Sequence, residues 1–294
     1  SKEWVSVYSS ATLNLLGVFN KNNELIGYFY YQKHKRAKII THIAPPFLSP
    51  NCGLFIEDNT SNPAQKNTFR KKLAELIANH LKGLKCDILT IPFAVSNLDM
   101  QPFIWSGFTV SPKYTYQLSL AKTEEEILSE MSSERRKNIK KAQKEGVLVE
   151  LSLKNEKSQQ LIENTFLKQN MYYDKSVLHS IFSEFNTHSN SISFTSCHNG
   201  SAIATVFCVY DNHVAYYILG GYDNENKHEG AGALAMWEAI KFAKKKGLKT
   251  FDFEGSMHKP IEKYFRGFGG ELVPYFTVNK ENVLGKTLLK IRKK

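Results

Sequence analysis

Residues 215–256 read AYYILGGYDNENKHEGAGALAMWEAIKFAKKKGLKTFDFEGS, and residues 257–278 continue MHKPIEKYFRGFGGELVPYFTV. Together they read as strand, glycine-bearing loop, helix, strand, short helix and strand, with polar groups gathered at the junctions. Glycines ahead of a helix leave backbone N–H groups bare, because first-turn donors have no intrahelical partner, and such an end suits an anion. The strand Thr250 to Phe253 ends on Glu254, and a basic, aromatic turn follows on Lys263, Tyr264, Phe265 and Arg266. An anion cradle, a carboxylate and a cation at successive junctions point to group-transfer chemistry.

Upstream, Lys122 to Gly146 reads as one long helix. Thr123 is its expected N-cap and Gly146 its stop, with Glu124, Glu125 and Glu126 at the positive end and Lys140, Lys141 and Lys144 at the negative end. Ile127, Met131, Ile139 and Ala142 mark its apolar stripe. At 100° per residue, Arg135 and Arg136 fall within about 60° of Ile139, beside the buried stripe. A guanidinium there needs an anion, which assigns both arginines to a cleft. The neighbouring lysines read as a solvated basic face.

The remainder of the second half is a strand at VLVELSL, helices near 155–170 and 175–186, and strands at SISFTSC and AIATVFCVY that lead into the opening stretch. Asn199-Gly200 and Asp211-Asn212 supply hairpin turns between these strands. The first half opens on a hairpin, Leu13 to Phe19 and Glu24 to Tyr31 about the KNN turn. A strand at RAKIITHI and a proline-broken loop at APPFLSPNCG follow. Pro63 starts a helix with Phe69, Leu73, Leu76, Ile77 and Leu81 on one face. CDILTIPF is a buried strand, LDMQPFIWSGF a short helix, and YTYQLSL a closing strand. Both halves run strands, helix, strand, helix, strand, a mixed α/β order. The expected division is 1–121 and 122–294.

The chain has 294 residues, is 42% hydrophobic and carries a formal charge of +11, which favours anionic partners. No apolar run is long enough to span a bilayer, so no integral membrane segment is expected. Its N-terminus lacks a secretory pattern, and Cys52, Cys86, Cys197 and Cys208 are scattered without a CxxC pair. These features point to reduced thiols and a cytoplasmic setting. The histidines show no metal spacing, so no metal is expected.

RRKNIKKAQKEGV, YYILGGYD, GLKTFDFEGS and KYFRGFGGELV, in that order, resemble the Fem peptidyltransferases, a branch of the GNAT acyltransferase superfamily. The first half resembles that family's degenerate N-terminal copy through LDMQPFIWSGFTVSPKYTYQLSL. The resemblance implies two tandem GNAT-like domains, α/β with a mixed sheet, and an N-acyltransferase acting on an amine. The acceptor would be an anionic small molecule or peptide, such as a peptidoglycan precursor, in a cleft between the domains. The donor would be aminoacyl-tRNA, as in better-known Fem members, or acyl-CoA, as in ordinary GNAT enzymes, with no tightly bound cofactor.

Residue by residue, KHEGAG matches the pyrophosphate loop at Lys227, Gly230 and Gly232, with Lys in place of the usual Gln or Arg. Phe265 and Arg266 occupy the place of the family's Phe-Lys pair. Arg266 is thereby implied to stabilise the developing oxyanion. Glu254 replaces a small residue and stands where a general base would take the amine proton. Arg136 and Arg135 would hold the acceptor's anionic group. Tyr216 and Tyr217 alternate on one strand, and Tyr217 is expected to face the acceptor. Two rivals stand beside this: a CoA-dependent acetyltransferase on a small amine, and a non-catalytic RNA- or partner-binding relative of the fold.

Overall fold

The computed structural model describes residues 2–8, 13–36, 39–56, 61–96, 99–152, 156–185 and 190–292. In chain order the first elements are α1 (Lys2–Ser6), β1 (Leu13–Phe19), β2 (Leu25–Arg36), β3 (Ile40–Ala44) and β4 (Leu54–Ile56). Next come α2 (Pro63–Gly83), β5 (Ile88–Pro92), α3 (Gln101–Trp105) and β6 (Thr109–Ser119). Then follow α4 (Glu124–Glu130), α5 (Ser133–Lys144), β7 (Leu148–Leu151), α6 (Glu156–Lys168) and α7 (Lys175–Glu184). The last are β8 (Ser191–His198), β9 (Ser201–Tyr210), β10 (Val214–Tyr222), α8 (Ala231–Lys245), β11 (Thr250–Asp252), α9 (Lys259–Arg266), β12 (Glu271–Glu281) and α10 (Val283–Arg292).

The chain forms two compact units, each discontinuous in sequence. One comprises Ser1–Val7 with Tyr114–Val273, and the other Tyr8–Lys113 with Pro274–Lys294. The final strand and helix therefore pack with the N-terminal elements.

In the larger unit the strand order is β6-β11-β10-β9-β8-β7. β8, β9 and β10 form antiparallel hairpins, while β10 and β11 run parallel, because α8 carries the chain back across the sheet. Asn199 and Gly200 both take positive φ, as a two-residue hairpin of this type requires. The sheet alternates sharply. Phe251 and Phe253 join the core beside Leu234, Met236 and Ile240 of α8, whereas Asp252 between them points to the other face. That core alone holds Tyr116, Ile139, Phe265 and Phe268 as well.

In the smaller unit the order is β1-β2-β3-β5-β12, with β4 on the flank of β2. Asn62 caps α2 through Oδ1, which accepts from the N–H groups of Ala64 and Gln65, and Pro63 stands at its first turn. Leu73, Ile77 and Leu81 are buried as the spacing predicts, but Leu76 is exposed. The strand expected over RAKIITHI begins at Ile40; Ala37 and Lys38 lie outside the described residues, as does Leu98 of LDMQPFIWSGF. Leu153, the last residue of VLVELSL, lies outside them too, as do residues at the ends of the expected 155–170 and 175–186 helices.

The long helix expected over 122–146 is two helices. Thr123 caps the first in a reciprocal box with Glu126, as its position predicts. Met131 then leaves helical geometry, and Ser132 begins a second helix by accepting from the N–H of Arg135. The cause is local: a serine with a free backbone turn before it competes as a cap better than it serves mid-helix. Gly146, at positive φ, follows the cap at Glu145.

Candidate active site

The parallel pairing of β10 and β11 lasts three residues, Val214–Tyr216 against Thr250–Asp252. β10 then bulges between Tyr217 and Leu219 and runs on to Tyr222, while the other strand stops. Past Tyr216 no strand pairs β10 on that side among the described residues, and this unpaired edge beside the exit from β11 forms a notch.

At the notch the exit from β11 is held in an unusual backbone. Glu254 has φ 57° and Gly255 has φ 65°. A Cβ on Gly255 would lie 2.1 Å from the Tyr114 carbonyl oxygen, so only glycine fits. Glu254 pays for its left-handed conformation without that exemption.

Asp252 explains how the bend is held. Its carboxylate accepts from Thr115 Oγ1 at 2.6 Å, Gln117 Nε2 at 2.7 Å and the Glu254 N–H at 2.8 Å. Burial raises its pKa, and the Gln117 and Thr115 bonds oppose that rise. Glu254 has no such relief. Among the described residues its carboxyl makes no hydrogen bond or ion pair. Burial first, and the adjacent Asp252 charge second, raise its pKa well above the ordinary carboxylate range. The result is a carboxyl poised to hold or release a proton.

The tyrosines divide as alternation requires. Tyr216 donates to Asp211 Oδ2 at 3.1 Å, and burial raises its pKa. Tyr217 lies on the other face, its ring edge-on to Phe265 with centroids 5.6 Å apart. Its hydroxyl fills the space where Gly220 lacks a side chain. Phe265 is itself buried, stacked on Phe253 at 5.6 Å.

Arg266 is mostly exposed, and its Nε pairs with Glu262 Oε1 at 3.0 Å. The same oxygen accepts from Tyr116 Oη at 2.6 Å. Tyr116, Glu262 and Arg266 thus form a chain of phenol, carboxylate and guanidinium.

Arg135 and Arg136 find partners inside the protein. Arg135 is buried, with its guanidinium carbon 4.4 Å from the Tyr264 ring centroid and 5.3 Å from that of Phe268. Glu134 offers a 3.8 Å ion pair, while Arg135 Nε is buried without a hydrogen-bond partner. Burial pushes the Tyr264 hydroxyl up to about 12, and the Arg135 charge pulls against that rise. Arg136 Nη1 donates to the carbonyls of Ser129 and Met131, which closes the end of α4.

The glycines ahead of α8 differ in kind. A Cβ on Gly230 would lie 2.0 Å from the Asn138 carbonyl oxygen, so this glycine lets α8 pack on α5. A Cβ on Gly232 would meet only Tyr264 Oη at an ordinary 3.5 Å. The loop before them is braced by Asp223, which accepts from the Glu225 N–H and from Asn226. Glu229 pairs with Lys141 at 2.7 Å. His228 donates through Nε2 to Glu145 at 2.9 Å and accepts the Gly230 N–H on Nδ1 at 3.1 Å. Lys227 is exposed and makes no ion pair among the described residues. With Gly230 and Ala231 already bonded, the N–H groups of Gly232 and Ala233 are the first-turn donors left to α8. Together with the Lys227 ammonium, they suit a phosphate.

Asp252, Tyr116 and Glu262 were not read from the sequence. The available signal was FDFE: a charge between two phenylalanines of a short strand must either be satisfied or be put to use. Among the described residues, no group of three or more His, Cys, Asp or Glu could hold a metal, and no helix is long and apolar enough to cross a membrane.

Two known family models match parts of the chain. Residues 133–266 match the acetyltransferase (GNAT) domain, and residues 95–168 match the FemAB family. These domain matches indicate an acyltransferase, in agreement with the resemblance read from the four sequence strings. No curated protein matches the sequence. Among solved structures, FemX is similar at TM-score 0.63 and 13% identity, over 99% of this chain and 93% of that one. The C-terminal domain of a protein described as a lysylphosphatidylglycerol synthetase, from Agrobacterium fabrum, follows at 0.62 and 9%, over 98% and 89%. A tandem GNAT protein from the clavulanic acid biosynthesis pathway stands at 0.51 and 10%, over 96% and 88%. At such identities the likeness shows the fold, a mixed α/β tandem GNAT architecture.

Proposed function

We propose that the protein transfers an aminoacyl or acyl group from a phosphate-bearing activated donor to an amine, with Glu254 as the general base. The observation that carries this is the half-buried Glu254 carboxyl, which has no partner among the described residues and is held at positive φ beside the notch between β10 and β11. A group so costly to keep is usually kept for proton transfer. The donor's phosphates would take the N–H groups of Gly232 and Ala233 and the Lys227 ammonium, with its acyl carbon in the notch. The acceptor amine attacks that carbon and a C–N bond forms. The bond to the leaving thiolate or ribose oxygen breaks, and the amine proton passes to Glu254 and on to the leaving group. Arg266, held by Glu262 and Tyr116, is the cation offered to the oxyanion. Phe265 and Tyr217 set its backdrop.

For the acceptor, an amine on an anionic small molecule or peptide suits the charge of +11. Peptidoglycan precursors belong to that class, and so does a lipid headgroup of the kind named for the Agrobacterium neighbour. A cytoplasmic setting would supply either donor. Internal partners take Arg135 and Arg136, which join α5 to α9 through the Tyr264 ring and to the end of α4 through the Ser129 carbonyl.

A second reading is acetyl transfer from CoA, favoured by the GNAT domain match over 133–266. Thermal unfolding with CoA and, separately, with aminoacyl-tRNA distinguishes the two. A rise in Tm with charged tRNA alone supports the aminoacyl reading, and a rise with CoA alone replaces it by the acetyl one. In either case Lys227→Ala should abolish the rise, and Arg266→Ala should lower turnover at least ~10-fold. RNA affinity without transfer from either donor would leave a binding module instead.

A further inference from the structure

The smaller unit carries a surface to which the proposed transfer assigns no role, and what this surface does is independent of that reading. Asp87 is its organising residue. Its carboxylate accepts from the Thr41 N–H at 2.7 Å and from Asn282 Nδ2 at 2.8 Å. Its carbonyl accepts from the Asn282 N–H at 3.0 Å, and a Cβ on Gly285 would lie 2.3 Å from it. These bonds tie the start of β3, the start of β5 and the start of α10 into one corner.

Three aliphatic side chains stand out from that corner. Ile39, just ahead of β3, is 70% exposed, Val283 is 83% exposed and Leu284 is 50% exposed. Around them stand ammonium groups. Lys35 bonds Thr41 Oγ1 at 3.0 Å, and Lys280 donates to the Lys82 carbonyl at 3.0 Å. Lys33 and Lys280 both act on Cys86, and Lys82, Lys85 and Lys286 are exposed. Against them stand Glu281 and Asp87, the latter engaged by its hydrogen bonds.

Exposed aliphatic groups beside lysines, without an exposed aromatic among the described residues of the corner, suit one partner chemistry. Lysines attract anionic lipid headgroups, and short apolar side chains enter the boundary between headgroup and acyl chain. Single-stranded nucleic acid is gripped by aromatic stacking platforms, which this corner lacks. We propose that this corner of the smaller unit docks the protein on an anionic membrane surface, with Ile39, Val283 and Leu284 inserted and the lysines on the headgroups.

Cosedimentation with phosphatidylcholine vesicles, with and without phosphatidylglycerol, tests this on the full chain. Binding should appear with the anionic vesicles only and weaken with salt. I39E/V283E should reduce it at least ~10-fold, and K82E/K85E should reduce it and flatten the salt dependence. Circular dichroism of each variant checks that the fold is intact. Equal binding to both vesicles, binding to neither, or unchanged binding by both folded variants overturns the proposal. So does affinity for a single-stranded RNA that K82E/K85E removes in the absence of vesicle binding.

Discussion

Glu254 in the larger unit and Asp87 in the smaller one are both acids at the end of a β-strand, and their surroundings are opposite. Asp87 collects the Thr41 N–H and the Asn282 amide, and these two bonds, in that order, hold its pKa below the usual carboxylate value. Glu254 collects nothing, and burial beside Asp252 drives its pKa up. The first carboxylate is a fastener that joins three segments. The second is a stored cost that the hydrogen bonds around Asp252 keep in place. A strand-end acid is thus read by its partners rather than by its position.

The largest expected effect breaks the comparison at Glu254. Glu254→Gln should lower turnover on the order of 10²–10⁴-fold, as loss of a general base does. Its effect on stability has the reverse direction. A raised folded-state pKa means that stability is lost as pH rises past the unfolded value, so glutamine should raise Tm at neutral pH. The two proteins should converge in acid, where the carboxyl is protonated in both states. A drop in Tm at neutral pH would show that Glu254 is a structural anion with a partner.

Next in size is a test within the glycine loop. Gly230→Ala drives a methyl into the Asn138 carbonyl and should destabilise by ~1–3 kcal/mol, read by chemical denaturation. Gly232→Ala meets nothing closer than an ordinary contact and should leave stability within ~0.5 kcal/mol. Equal effects would mean that both glycines serve the same purpose.

The smallest effect is at Asp87. A lowered folded-state pKa contributes stability that is present above the unfolded value and lost as pH falls through the folded one. Asp87→Asn should therefore lower Tm modestly at neutral pH, with the difference vanishing in acid. This is the opposite pH trend to Glu254→Gln, and parallel trends would erase the contrast.

Much of the fold was legible in the chain. The Thr123 cap, the Asn199-Gly200 turn and Pro63 are local signals whose physics is complete within a few residues. The break at Ser132 was not read, because continuous charge and apolar spacing mask a cap placed mid-pattern. Of the site, the sequence indicated Glu254 and the donor loop, yet not what each residue touches. Gly230 and Gly232 look alike in sequence, and the distinction depends on Asn138, which is remote along the chain. Arg135 beside the apolar stripe did require partners, and two aromatic rings join the Glu134 carboxylate in that role. The discontinuous units, with β12 and α10 returning to the N-terminal elements, depend on pairings that no local pattern encodes.

The His228 imidazole has a further consequence. Because one nitrogen donates to Glu145 and the other accepts the Gly230 N–H, the ring is fixed as the neutral Nε2–H tautomer. Its two nitrogens therefore carry distinct magnetic-resonance signatures, and movement of the loop off α5 would break the Glu145 bond and shift the Nε2 signal. The glycine loop thus contains its own spectroscopic gauge, readable without an added label.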